Sequence, residues 1–201
     1  MKKLLLFVLL IVGCEGVLVE YAGPADCTGV AGGRTIVDEC GVCGGSDIVA
    51  DGYCQTDLDV LQNFIDLNES LSGKPVEIGN QEWSGGRLIT LMLINSQITT
   101  LPENIGNLSR LEQLWLSNNL LINIPESIGD LSSLIWLNLL LNGIASLPIS
   151  ICNLSEDCEI NVQLNALCEE YHYDCIDIFS TQLQSHCCEG ENSEPNWTQC
   201  P

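Results

Sequence analysis

The sequence predicts an α/β solenoid. It should be a short stack of coils, each giving one parallel strand to a concave face and a short helical or 3-10 turn to a convex face. Two observations carry this. A 23-residue pattern recurs without a gap when Leu88 is set against Leu111 and Leu134, and a fixed period of that length marks a repeat architecture. Aromatic residues are scarce at 5%, while hydrophobic residues make up 46% of the 201-residue chain. That balance suits a core built from leucine and isoleucine.

The elements before the repeats differ in kind. Lys2 and Lys3 precede an unbroken apolar run over residues 4–12. The run is too short to cross a membrane as a helix but fits the core of an export signal. Residues 1–13 are therefore expected to be a signal peptide, followed by a tether over 14–25. Residues 26–54 form a block rich in glycine and cysteine, with Cys27, Cys40, Cys43 and Cys54 and few large apolar side chains. Such a block cannot close around a core and needs cross-links. From Asp57, Leu58, Leu61, Phe64, Ile65 and Leu67 recur at helical spacing, so a helix is expected over 58–67 with Asp57 as its N-cap. Gly73 and Pro75 break it, and Val76 with Ile78 suggest a short strand. Residues 57–87 together are the expected N-terminal cap.

The repeats occupy 88–167. The first unit places Leu88, Leu91, Leu93, Ile98, Leu101-Pro102, Ile105-Gly106 and Leu108. The second repeats this with Leu111, Leu114, Leu116, Leu121, Ile124-Pro125, Ile128-Gly129 and Leu131. The third uses Leu134, Leu137, Leu139, Ile144, Leu147-Pro148, Ile151 and Leu154. A fourth unit is expected to open at Asp157 and keeps Ile160, Val162 and Leu167. One unit cannot bury its apolar face alone, so the leucines must stack between units. Asn119, Asn142 and Asn165 recur at the strand exit. A side-chain amide there offers a donor and an acceptor to turn backbone that would otherwise be stranded. Ser96 stands at that position in the first unit. Residues 168–201, with Cys168, Cys175, Cys187, Cys188 and Cys200, are the expected C-terminal cap, joined by Cys152 and Cys158 as disulfide candidates.

On these residues the chain resembles the leucine-rich-repeat family in its 23-residue form, with an LPxxIGxL second half. The resemblance covers about 80 of the 201 residues. It implies a scaffold without catalytic function, and it is nearly silent on ligand. The helix before the repeats resembles the caps of extracellular members. Ile11-Val12-Gly13-Cys14 resembles a bacterial lipobox, which implies cleavage before Cys14 and a lipid on it. Losing Lys2 and Lys3 would take the net charge from −21 to −23. If Cys14 carries lipid, eleven of the twelve cysteines remain. With an odd number, at least one is free or paired between chains. Asp38-Glu39-Cys40-Gly41-Val42-Cys43-Gly44-Gly45 resembles cysteine-rich modules of exported proteins.

Composition and motifs exclude several function classes. A net charge of −21 argues against nucleic acid, because nothing could neutralise a row of phosphates. Cys40-x-x-Cys43 has no second such pair for a zinc ribbon, and the surrounding aspartates lack the spacing of a calcium loop. Only His172 and His186 are present, and no nucleophile or phosphate-loop motif accompanies them. No catalytic residue, metal site or cofactor is expected. Four Asn-x-Ser/Thr sequons, at Asn68, Asn107, Asn153 and Asn196, read as incidental.

The repeat register names the concave side chains. Solvated strand positions are ordinarily polar, yet Met92, Ile94, Trp115, Trp136 and Leu140 fall there, with Asn138 among them. Trp115 and Trp136 lie in adjacent strands, one side-chain step apart, close enough to meet. These six residues are the expected binding surface for a protein, peptide or glycan. The expectation is an exported binding or adhesion module, at the cell surface or in the periplasm if lipid-anchored and otherwise secreted. The alternative is a structural surface or matrix protein with no specific ligand.

Overall fold

The computed structural model describes residues 30, 34–36, 38, 40, 45, 51–167 and 173–176. The chain divides into two compact units, Met1–Ser46 and Asp47–Pro201. In the first, Cys40 is buried and disulfide-bonded, and its N–H donates to Asp38 Oδ1 at 3.0 Å. Residues 1–29, Cys43, Cys168, Cys187, Cys188 and Cys200 lie outside the described residues, as do His172 and His186. The expectations for the signal peptide, the lipid on Cys14, the tether and Cys27 fall there.

The second unit is a leucine-rich-repeat solenoid. Helix α1 (Gln55–Leu67) leads into strands β1 (Asn80–Ser84), β2 (Arg87–Met92), β3 (Gln113–Trp115), β4 (Trp136–Asn138) and β5 (Glu159–Asn161). The five strands form one sheet in chain order. β2 to β5 are parallel, each residue paired with the one 23 positions on, as Leu91 with Leu114, Leu114 with Leu137 and Leu137 with Ile160. These inward residues and their equivalents Leu93, Leu116, Leu139 and Val162 are all buried. Short 3-10 helices at Ile105–Asn107, Glu126–Asp130 and Ile149–Asn153 return the chain on the convex side. Pro125 and Pro148 stand at the N-caps of the last two.

The asparagine ladder is fully connected. Asn142 Oδ1 accepts from Leu121 N–H at 3.1 Å, and its Nδ2 donates to Leu116 O and Leu139 O, both at 3.0 Å. Asn119 does the same for Ser96, Ile98, Leu93 and Leu116, and Asn165 for Ile144, Leu139 and Val162. Each amide thus ties its own coil to the one before, satisfying backbone groups that water cannot reach. The Ser96 hydroxyl, at that position in the first coil, makes a weak bond to Ile94 O at 3.3 Å. Asn68 extends this use of buried amides to the cap: its Oδ1 accepts from Thr99 and Thr100 N–H, and its Nδ2 donates to Phe64 O and Thr100 O. With both ends engaged and 2% of its surface exposed, it is no glycan acceptor in the folded chain.

A second column governs coil spacing. A Cβ on Gly106 would lie 2.6 Å from Ser127 O, and one on Gly129 2.1 Å from Ser150 O. Each glycine therefore admits the backbone of the next coil. The equivalent position in the third coil is Cys152, which forms a disulfide with Cys175, again 23 residues on. Tyr173 O–H donates to Leu147 O at 3.1 Å beside it.

Four features depart from expectation. Helix α1 begins at Gln55, not 58, because Cys54 N–H is held by Gly86 O at 2.8 Å and the helix starts from that anchor. Asp57 is not the N-cap. It lies wholly buried inside α1, where its carboxylate accepts from Arg87 Nε at 3.1 and 3.0 Å and from Leu88 N–H at 2.8 Å, with Arg87 Nη2 2.9 Å from Oδ1. Residues Pro75–Glu77 form a 3-10 helix instead of a strand. The strand lies further on, as β1, antiparallel to β2 through a hairpin whose turn glycines, Gly85 and Gly86, take φ of 56° and 78°. Positive φ at both central positions is what a two-residue hairpin needs. In the fourth coil Asp157 keeps the register position of Leu134 but is exposed, and the neighbouring Cys158 is buried in the core instead.

Candidate functional site

The concave surface is built by alternation. In each strand two residues point into the core and those between them point out. One outward row runs Glu82, Thr90, Gln113, Trp136, Glu159, and the next runs Met92, Trp115, Asn138, Asn161. Trp115 pairs with Asn138 and Trp136 with Gln113, so the two indoles sit in neighbouring strands one step apart. Their ring centroids are 5.3 Å apart at an interplanar angle of 35°, within the range of favourable aromatic pairs. Trp115 Nε1 donates to Gln113 Oε1 at 3.1 Å. Trp136 Nε1 is buried and has no acceptor, a cost of about 1–3 kcal/mol for a donor withdrawn from water.

The six expected residues do not behave alike. Met92, Trp115, Trp136 and Leu140 are half-buried, and Ile94 is exposed. Asn138 is buried, with its Oδ1 accepting from Leu140 N–H at 3.0 Å. It shapes the strand exit and offers little to a ligand. Most other polar side chains here are also engaged: Gln113 with Trp115, Asn161 with Gln163 N–H, and Thr90 with Glu82 Oε2. The surface is left with apolar groups and carboxylates.

Sequence reasoning missed the strand-exit edge. Leu120, Ile122 and Leu141 are 57%, 63% and 44% exposed. Leu141 occupies the position that Asn95 and Asn118 hold in earlier coils and half-buried Leu164 holds in the next, and all four take left-handed backbone, with φ of 56°, 53°, 58° and 55°. Asparagine tolerates that conformation and leucine does not. Asn118 Nδ2 also donates to Asn95 Oδ1 at 3.1 Å, a bond Leu141 cannot extend. Aligning the three repeats on this column would have exposed the anomaly.

The described cysteines divide by role. Cys54 is disulfide-bonded, and Cys152 and Cys175 bond each other. Cys158, expected in a disulfide, is free and buried. Burial pushes its thiol up to about 11, with the Glu159 carboxylate adding to the effect. It fills the place of a core leucine, which free cysteine does readily. Among the described residues no cluster of three or more His, Cys, Asp or Glu side chains is placed to hold a metal ion.

No protein-family profile matches the chain, and no curated protein matches it. Solved structures do. A leucine-rich-repeat protein of Leptospira interrogans is 37% identical over 40% of this chain, with a TM-score of 0.38. The match takes in 20% of that protein, so this chain spans a small part of its length. The leucine-rich-repeat ectodomain of the receptor kinase SOBIR1 from Arabidopsis thaliana is 21% identical over 65% of this chain and 93% of its own, with a TM-score of 0.45. The fold assignment itself rests on the 23-residue strand register described above.

Proposed function

We propose that this protein is an exported binding module whose concave repeat face holds a protein or peptide partner. The observation that carries the reading is the apolar concave surface, with the Trp115–Trp136 pair at its centre and Met92, Ile94 and Leu140 around it. A strand face with no partner is ordinarily polar, and aromatic anchors ringed by smaller contacts are the usual source of binding energy. A glycan is less suited, because the side-chain amide oxygens of Gln113, Asn138 and Asn161 are already bonded within this face. Export, with Cys14 lipid-anchored, accords with the apolar run over 4–12 and with disulfides at Cys40, Cys54 and Cys152–Cys175, which persist in oxidising compartments.

A structural role through inter-chain disulfides would want an accessible thiol. Cys158, a free thiol among the described residues, is buried in the core and does not supply one. The test is a Trp115→Ala/Trp136→Ala double variant screened beside the wild type against arrays of peptides and oligosaccharides. A variant that folds as the wild type does and loses the array signals supports the reading, while one that keeps them all sinks it. An intact-mass measurement of native material reports the lipid on Cys14.

A further inference from the structure

The free groups of the binding surface are sorted by position along the strands. Toward the strand entry stand carboxylates: Glu82 and Glu159 at the two ends of one row, and Glu112 just before β3, all exposed. Four strand spacings separate the ends of that row, about 19 Å. Two basic side chains occur among the described residues of the sheet and its connections, Arg87 and Arg110. Arg87 is buried against Asp57, and Arg110 lies exposed in the turn before β3, close to Glu112 in the chain. Toward the strand exit the surface is apolar. Beyond Trp115 in the chain direction stand half-buried Leu140 and exposed Leu120, Ile122 and Leu141.

The exit edge is not incidental to the fold. Leu120 and Ile122 leave more than half their surface in water, and Leu141 holds a left-handed backbone that the two preceding coils give to asparagine. An exposed leucine in a conformation suited to asparagine gains nothing for stability, and departures of this kind gather where a surface is used.

We infer that the partner is a cationic, apolar-anchored polypeptide segment whose footprint extends beyond the concave face onto the exit edge. Its apolar side chains lie on Trp115, Leu140, Leu141 and Ile122, and its lysines or arginines face Glu112 and Glu159. The choice of a cationic partner rests on charge complementarity: the entry side carries several free carboxylates, and the chain as a whole has a net charge of −21. Opposite charge steers encounter and fixes orientation, while the apolar edge supplies contact area. This inference rests on the concave binding reading and adds the chemistry of the partner and the edge to it.

The test uses four matched probes on the full oxidised chain: synthetic peptides of equal length built from Lys/Leu, Lys/Ser and Glu/Leu, and a neutral maltooligosaccharide. Affinities are read by calorimetry and by tryptophan fluorescence. The Lys/Leu peptide is expected to bind about tenfold or more tightly than the other three, a clear margin for an interface with real anchors. Leu141→Asn/Ile122→Ser should weaken it about tenfold, as should Glu112→Gln/Glu159→Gln. Glu126→Gln/Asp130→Gln, on the convex 3-10 helix, should leave it unchanged. If the Trp115→Ala/Trp136→Ala variant loses the peptide but Leu141→Asn/Ile122→Ser does not, the edge is refuted and the concave reading survives. Tighter binding of the Glu/Leu peptide or the oligosaccharide, or binding of none of the four, overturns the cationic chemistry. If the Lys/Leu peptide binds and no substitution, the tryptophans included, changes its affinity, both readings fail together.

Discussion

Replacing Asp57 with alanine should be among the most damaging single changes in the solenoid. The carboxylate is wholly buried and receives Arg87 Nε and Nη2 together with Leu88 N–H. Arg87 also reaches Asn107 O at 3.2 Å and Ser109 Oγ at 3.1 Å, but neither is a counter-ion. A buried guanidinium without its counter-ion costs about 3–5 kcal/mol, a third or more of the total for a domain near the middle of the usual range. At about 2 kcal/mol per molar urea, the unfolding midpoint should fall by about 2 M. Asp57→Asn keeps one acceptor and should lose about half as much. Arg87→Met should cost far less in the Asp57→Ala background than in the wild type, since the partner is already missing. Equilibrium unfolding in urea, followed by far-UV circular dichroism under oxidising conditions, measures all of these. A loss below about 1 kcal/mol for Asp57→Ala, or equal costs in both backgrounds, would refute the assignment of this pair as the clasp between cap and first coil.

Three further outcomes are expected. Asn142→Ala should destabilise by about 2 kcal/mol, because it strands Leu121 N–H and removes one of the two amide donors that Leu116 O and Leu139 O each receive, whereas Ala at exposed Asn123 should change urea stability by less than about 0.5 kcal/mol. Leu141→Asn should stabilise by about 0.5–1 kcal/mol by relieving the left-handed leucine and should weaken Lys/Leu peptide binding in the same preparation. Cys158 should resist thiol reagents in the native chain at pH 8 and react at once on unfolding. Because the folded thiol is raised to about 11, its contribution to stability is complete below the unfolded value near 9 and is lost as pH rises toward 11. Thiol labelling and urea midpoints measured across that window, with Cys158→Ala as reference, check the sign.

The coils were legible in the sequence because burial dictates them locally. A leucine at every inward position and an amide at every strand exit repeat whether or not the neighbours are known. Asp57 was misread because its residue type and place suit an N-cap, while the partner that claims it, Arg87, lies 30 residues away. β1 was missed because Asn80–Ser84 buries only parts of Gln81 and Trp83, so no apolar alternation announces it. The Gly85-Gly86 pair was a usable hairpin signal. Cys158 was counted with the disulfide candidates because cysteine chemistry dominates an exported, cysteine-rich chain. Its core role appears only when β5 is paired with β4. The concave tryptophans followed from register alone, whereas the exit edge required knowing that Leu141 adopts a left-handed backbone that the first two coils give to asparagine.

The column Gly106, Gly129, Cys152, Cys175 bears on where a further coil can be inserted. A glycine leaves room for one more coil, and a cysteine in the same place bonds the next coil covalently and gives up that room. A duplicated glycine-bearing unit inserted before Leu134 should extend the stack, since each joint it creates has the space it needs. The same unit inserted after Cys152 would meet a side chain where backbone must pass and would part the two sulfurs that bind the last coil. Insertion of a coil is therefore open at the glycine joints and hindered at the disulfide joint.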